Sequence, residues 1–97
     1  MLVKLGVDIS RLNRPIRRTL NKIEVIFRTH LEEPIITSTY EGDHSCGSLH
    51  YTNDAIDVRN PKTNANIIFI ELKKVLGTDF DILQLSNHVH IEYDPKE

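Results

Sequence analysis

Two short segments, residues 55–59 and 88–93, alternate apolar and polar side chains one by one, and this period of two constrains the fold more than any other feature. In the first, Ile56 and Val58 alternate with Ala55, Asp57 and Arg59; in the second, Val89 and Ile91 alternate with His88, His90 and Glu92. Successive side chains of a strand point to opposite faces, so each segment has one face for a core and one free for chemistry. Strands of this kind need an apolar layer over the buried face.

Helical segments are positioned to supply that layer. Pro15 suits the first turn of a helix, and Ile16, Leu20, Ile23, Phe27 and Leu31 recur at helical spacing, which predicts a long packing helix over residues 15–30. Pro34 ends the pattern, and residues 35–39 read as a short strand rich in β-branched side chains. A second helix is expected over residues 64–76, with Gly77 as its left-handed cap, and its Ile67-Ile68-Phe69-Ile70 run predicts deep burial. Residues 80–85 and 88–93 form a hairpin across the turn pair Ser86-Asn87, while residues 40–54, with Gly42, Gly47 and Asn53, read mainly as loop. The expected architecture is α+β, a small, mainly antiparallel sheet packed with two helices. With no repeat, low-complexity tract or linker, residues 1–97 are expected to form one domain.

Composition narrows the functional classes. Hydrophobic residues at 39% and charged residues at 27% are ordinary for a globular chain and argue against intrinsic disorder. A net charge of −2 gives no reason to expect nucleic acid or an anionic membrane as partner. Arg11, Arg14, Arg17, Arg18 and Lys22 crowd the start of the first helix, but without interleaved aromatic residues they read as a solvated face. The single cysteine, Cys46, excludes an internal disulfide framework and a cysteine-based metal cage, so any metal site must use histidine and carboxylate. The first eight residues lack the apolar run of a signal peptide, and no apolar stretch approaches the roughly 20 residues needed to span a bilayer. The chain is therefore expected to begin in a cytoplasm, to act without a membrane and to be a monomer.

Chemistry concentrates in Ser48, His50 and Asp57 and in the downstream His88-Val89-His90. A catalytic zinc commonly takes three protein ligands from imidazole and carboxylate and keeps a fourth position open. His50, Asp57 and His90 meet that count, and on an extended strand His88, His90 and Glu92 share one face. A lone H-x-H is weak evidence, since histidines are often simply solvated; combined with a His and an Asp six residues apart at a loop-to-strand boundary, it predicts zinc.

The run from Ser38 through Tyr51, then Ala55-Ile56-Asp57-Val58-Arg59, then His88-Val89-His90-Ile91-Glu92-Tyr93-Asp94-Pro95, resembles the zinc D-Ala-D-Ala carboxypeptidases of the M15 type. The similarity takes in phage and bacterial enzymes that cut peptidoglycan peptides and extends to the hedgehog-like peptidase fold. It covers nearly the whole chain from the first helix onward. The resemblance implies that His50, Asp57 and His90 are the zinc ligands and that His88 supports the transition state. It implies a peptidoglycan peptide as partner and the cell wall, reached by lysis, a holin-like route or packaging in a virion, as the place of action. Ser48 has two readings, a contact to the substrate carboxylate or carbonyl and a hydroxyl that caps its own loop. His44 is a candidate substrate contact or partner of a ligand, against the plainer reading of a solvated loop histidine. Arg59 is a candidate for pairing with a substrate carboxylate, against a salt bridge to a nearby acid.

The chain departs from the family where an acid is expected shortly before the second zinc histidine. Gln84-Leu85-Ser86-Asn87 offers no carboxylate for general base work. Glu92 is the first substitute to consider, followed by Asp81 and Glu41. The expectation is thus hydrolysis of an amide bond in peptidoglycan stem peptides. The alternatives are a catalytically silent, zinc-stabilised domain that binds wall peptides or builds a phage particle, and a metal-free interaction module.

Overall fold

The computed structural model describes residues 1–39 and 53–95. Its elements run β1 (Leu2–Val3), α1 (Arg14–Arg17), α2 (Thr19–Thr29), β2 (Ile35–Ser38), β3 (Ala55–Arg59), α3 (Ala65–Leu76), β4 (Phe80–Gln84) and β5 (His88–Tyr93). The strands form one five-stranded sheet in the order β1-β2-β3-β5-β4. β1 runs parallel to β2, and the remaining pairs are antiparallel, so the sheet is mixed. The α+β class therefore holds, with one short parallel edge added.

The alternating residues do what their period demands. Ile56, Val58, Val89 and Ile91 are at most 1% exposed and meet Ile23, Phe27, Ile68 and Leu72 from α2 and α3 in a single core. β3 and β5 pair without interruption from Ala55↔Glu92 to Arg59↔His88. β4 and β5 pair from Phe80↔Tyr93 to Gln84↔Val89, and the Leu85 N–H donates to the His88 carbonyl at 2.8 Å to close the hairpin around Ser86-Asn87. The Phe80 and Tyr93 rings lie 5.4 Å apart at the outer end of that pair.

Three local expectations are corrected. The first helix is interrupted after Arg17, leaving one turn, α1, ahead of α2. Leu31 is not part of the buried stripe: it sits at φ 61° and is exposed, just past the end of α2. The Leu31 and Glu32 N–H groups donate to the Arg28 and Phe27 carbonyls, which is a Schellman ending with leucine where glycine is the usual residue. The Ile67-to-Ile70 run is not uniformly buried either. A helix turning 3.6 residues per turn cannot bury four successive side chains against one sheet, so Ile68 is buried while Ile67 and Ile70 face outward. The basic residues Arg11, Arg14, Arg17, Arg18 and Lys22 are all exposed.

Glu32 connects this helix ending to the start of α3. Its carboxylate accepts the Lys62 N–H at 2.9 Å and the Thr63 hydroxyl at 2.7 Å, bracing the turn that enters α3 through Asn64 at φ 58°. The Thr63 hydrogen bond, and after it the Lys62 N–H, hold the Glu32 carboxyl below its ordinary pKa of 4.5. A carboxyl depressed in the folded state adds stability above its unfolded pKa and loses it as pH falls through the folded value. Glu32→Gln is therefore expected to lower stability at neutral pH and to flatten the loss of stability on acidification. Urea denaturation between pH 7 and pH 3 measures both effects, and an unchanged acid limb would refute the assignment.

Candidate metal centre

The uninterrupted register of β3 and β5 sets Asp57 directly opposite His90, and the strand period turns both away from the helices. The same face carries Arg59 and Ala55 from β3, His88 and Glu92 from β5, and Asp81 and Leu83 from β4. Leu85, paired across the hairpin end with His88, continues this row.

Asp57 Oδ1 lies 2.8 Å from His90 Nδ1 and 3.7 Å from His88 Nε2. The other nitrogen of His90, Nε2, is 2.6 Å from Glu92 Oε1, and His88 Nδ1 is 2.6 Å from Asn87 Oδ1. Asp57 is 8% exposed, which makes it the one buried carboxylate among the described residues. A charge so removed from water needs a cationic or hydrogen-bonding partner. The imidazole of His90 is held above its ordinary pKa of 6.5, first by the Asp57 hydrogen bond; burial opposes this, and the Glu92 hydrogen bond adds to it.

The donor set suits zinc. With bonds of roughly 2.0–2.2 Å, two ligand atoms on one tetrahedral ion lie about 3.3–3.5 Å apart. Asp57 Oδ1 and His90 Nδ1, 2.8 Å apart, are close enough to share such an ion after a small outward adjustment. His88 does not complete a triad with them. Among the described residues, three donors with all ligand atoms within 4.8 Å of one another occur only in Asp81, Glu92 and Asp94. A third zinc ligand beside Asp57 and His90 must come from elsewhere in the chain. His50, the expected ligand, lies outside the described residues, as do Ser48, His44, Cys46 and Glu41. The Asp81, Glu92 and Asp94 group, which is not buried, is an arrangement common on surfaces without any ion.

Arg59 is exposed on the same face, opposite His88 in register, and borders a shallow cleft with Glu32, Glu33 and Lys62. The salt bridge expected for it is not formed among the described residues. Two contacts escaped the sequence reading. Ser86-Asn87 reads as a turn pair, yet Asn87 also holds the His88 ring. Glu92, considered as a base, has an oxygen engaged by His90. The spacing of His90 and Glu92 by two signals a shared strand face but not which ring nitrogen is met. The approach to β3 is tied down by Asn13, whose Nδ2 donates to Asp54 Oδ1 at 2.8 Å and whose backbone N–H donates to the Asn53 carbonyl.

Comparison with protein-family models, with curated proteins and with solved structures gave no match. Among the described residues, no helix is long and apolar enough to cross a membrane.

Proposed function

We propose that the chain is a zinc-dependent hydrolase of amide bonds in peptidoglycan stem peptides, of the hedgehog-like and D-Ala-D-Ala carboxypeptidase type, with the metal held by His50, Asp57 and His90. The observation that carries this reading is the convergence of Asp57 Oδ1 and His90 Nδ1 at 2.8 Å on the face opposite the helices. Bound between these ligands, zinc would supply Lewis acidity toward a peptide carbonyl and toward water.

The chain's own residues divide the remaining work. His88 has its Nδ1 against the Asn87 side-chain oxygen Oδ1, which fixes the ring and leaves Nε2 turned toward Asp57. In its protonated form that Nε2–H donates to the negative charge developing on the carbonyl oxygen. Exposed Leu83 and Leu85 provide an apolar shelf for small alkyl side chains beside His90 and His88. Arg59, without an acid partner among the described residues, is free to meet a substrate carboxylate. Ser48 and His44 are kept as substrate contacts. The wall peptide is the proposed partner, and the wall the proposed place of action.

The second reading, a zinc-stabilised domain without turnover, is favoured by one specific observation: Glu92, the first substitute for the absent acid, has Oε1 engaged by His90. Leu85 separates the two readings because its pairing across from His88 puts its side chain on the metal face. If the chain is an enzyme, the zinc-loaded protein releases new amine or D-alanine from purified muropeptides. If only Leu85→Glu does so, the natural chain is silent. A metal-free interaction module instead predicts no bound zinc and no change in melting temperature on chelation.

A further inference from the structure

Resting on the zinc reading above, we infer that Glu92 is a positioning residue: it accepts the Nε2–H of His90 and thereby presents the Nδ1 lone pair to the metal beside Asp57. An imidazole ligand uses one nitrogen for the ion and carries its proton on the other, and whatever meets the second nitrogen selects the tautomer and the ring orientation. His90 has a carboxylate on each side, Asp57 Oδ1 at 2.8 Å from Nδ1 and Glu92 Oε1 at 2.6 Å from Nε2.

The two carboxylates are not equivalent. Asp57 comes from the neighbouring strand, is buried, and has a second imidazole 3.7 Å from the same oxygen. Glu92 is two residues along the same strand, is more exposed, and sits beside Asp81 and Asp94. With an ion taken up beside Asp57, the ring proton would be left to Nε2, where the Glu92 carboxylate accepts it. Ala55, opposite Glu92 in register, leaves space for the glutamate side chain to fold back over the strand toward His90. The i, i+2 spacing on one strand face makes this contact local, so it is set by β5 itself and does not depend on long-range packing.

Zinc affinity of the full chain, measured by competition with a chromogenic chelator, tests the assignment together with imidazole nitrogen chemical shifts of His90 in the zinc-loaded protein. Loss of the partner of a histidine ligand costs roughly 10–100-fold in metal affinity, so Glu92→Ala is expected to weaken zinc by that factor. Glu92→Gln, whose amide oxygen accepts the same N–H, is expected to recover most of it. The nitrogen shifts are expected to show Nε2 protonated and Nδ1 metal-bound. Wild-type protein that binds no zinc would overturn the metal reading itself. Wild-type binding that survives Glu92→Ala unchanged would overturn the positioning role alone, and equal losses in the Ala and Gln variants would make Glu92 a ligand instead.

Discussion

Asp57→Ala is expected to abolish the proposed zinc binding and any turnover that depends on it, and to destabilise the protein even before metal is added. Asp57 offers the only buried carboxylate among the described residues, and its Oδ1 lies 2.8 Å from His90 Nδ1. Its removal takes away one of three proposed zinc ligands, so the loss of affinity should exceed the roughly 10–100-fold that follows loss of a ligand's hydrogen-bond partner. It also removes the Asp57 hydrogen bond from His90 Nδ1 in a partly buried position, a cost of about 1–3 kcal/mol. Chelator competition reads the first effect and urea denaturation of the chelated protein the second. An Asp57→Ala protein that holds zinc as tightly as wild type would contradict the ligand assignment.

Ile91→Ala is expected to have the largest effect on stability. Ile91 is fully buried at the middle of β5, opposite Ile56 on one side and Ile82 on the other, with α2 and α3 packed over it. Truncating such a side chain removes its transfer free energy and leaves a cavity, together about 2–5 kcal/mol. Against a typical total of about 5–15 kcal/mol, that is enough to unfold much of the population on mild heating. His90 and Glu92 flank Ile91 on the same strand, so zinc affinity should fall alongside stability. A loss below about 1 kcal/mol in urea denaturation would mean that β5 is not clamped between β3 and β4 as described.

The elements that carry the site were legible because their signal is local and strong. Residues 55–59 and the 88–93 arm of the hairpin alternate cleanly, and both strands form with those bounds. The second helix starts one residue after its expected beginning and ends at Leu76 before Gly77, whose φ of 85° suits glycine but whose ψ of −173° lies outside the left-handed helical cap expected there. β1 was not legible, since two residues, Leu2 and Val3, have no measurable period and gain their conformation only by pairing with β2. Leu31 misled for a related reason: helical spacing says where a side chain would point if the helix continued, not whether the helix has ended.

For the site, the shared face of His88, His90 and Glu92 follows from their period alone. That Asp57 stands opposite His90, and not opposite His88 or Glu92 two residues aside, depends on the long-range register of β3 against β5; alternation excludes a one-residue slip, which would turn the apolar set outward, but not a slip of two. The choice of nitrogen on each ring depends on side-chain torsions that no pattern of residue types specifies. The uneven burial of the Ile67-to-Ile70 run shows the same limit, because composition announces burial and helical geometry decides which side chains receive it.

Zinc stoichiometry of the full chain, purified after growth in zinc-supplemented medium and measured by elemental mass spectrometry, tests the central claim most directly. The account predicts one zinc per folded chain, lost in His50→Ala and His90→Ala proteins that remain folded by circular dichroism. A wild-type protein that is folded and empty, or one that keeps its full zinc after either histidine is removed, would contradict it.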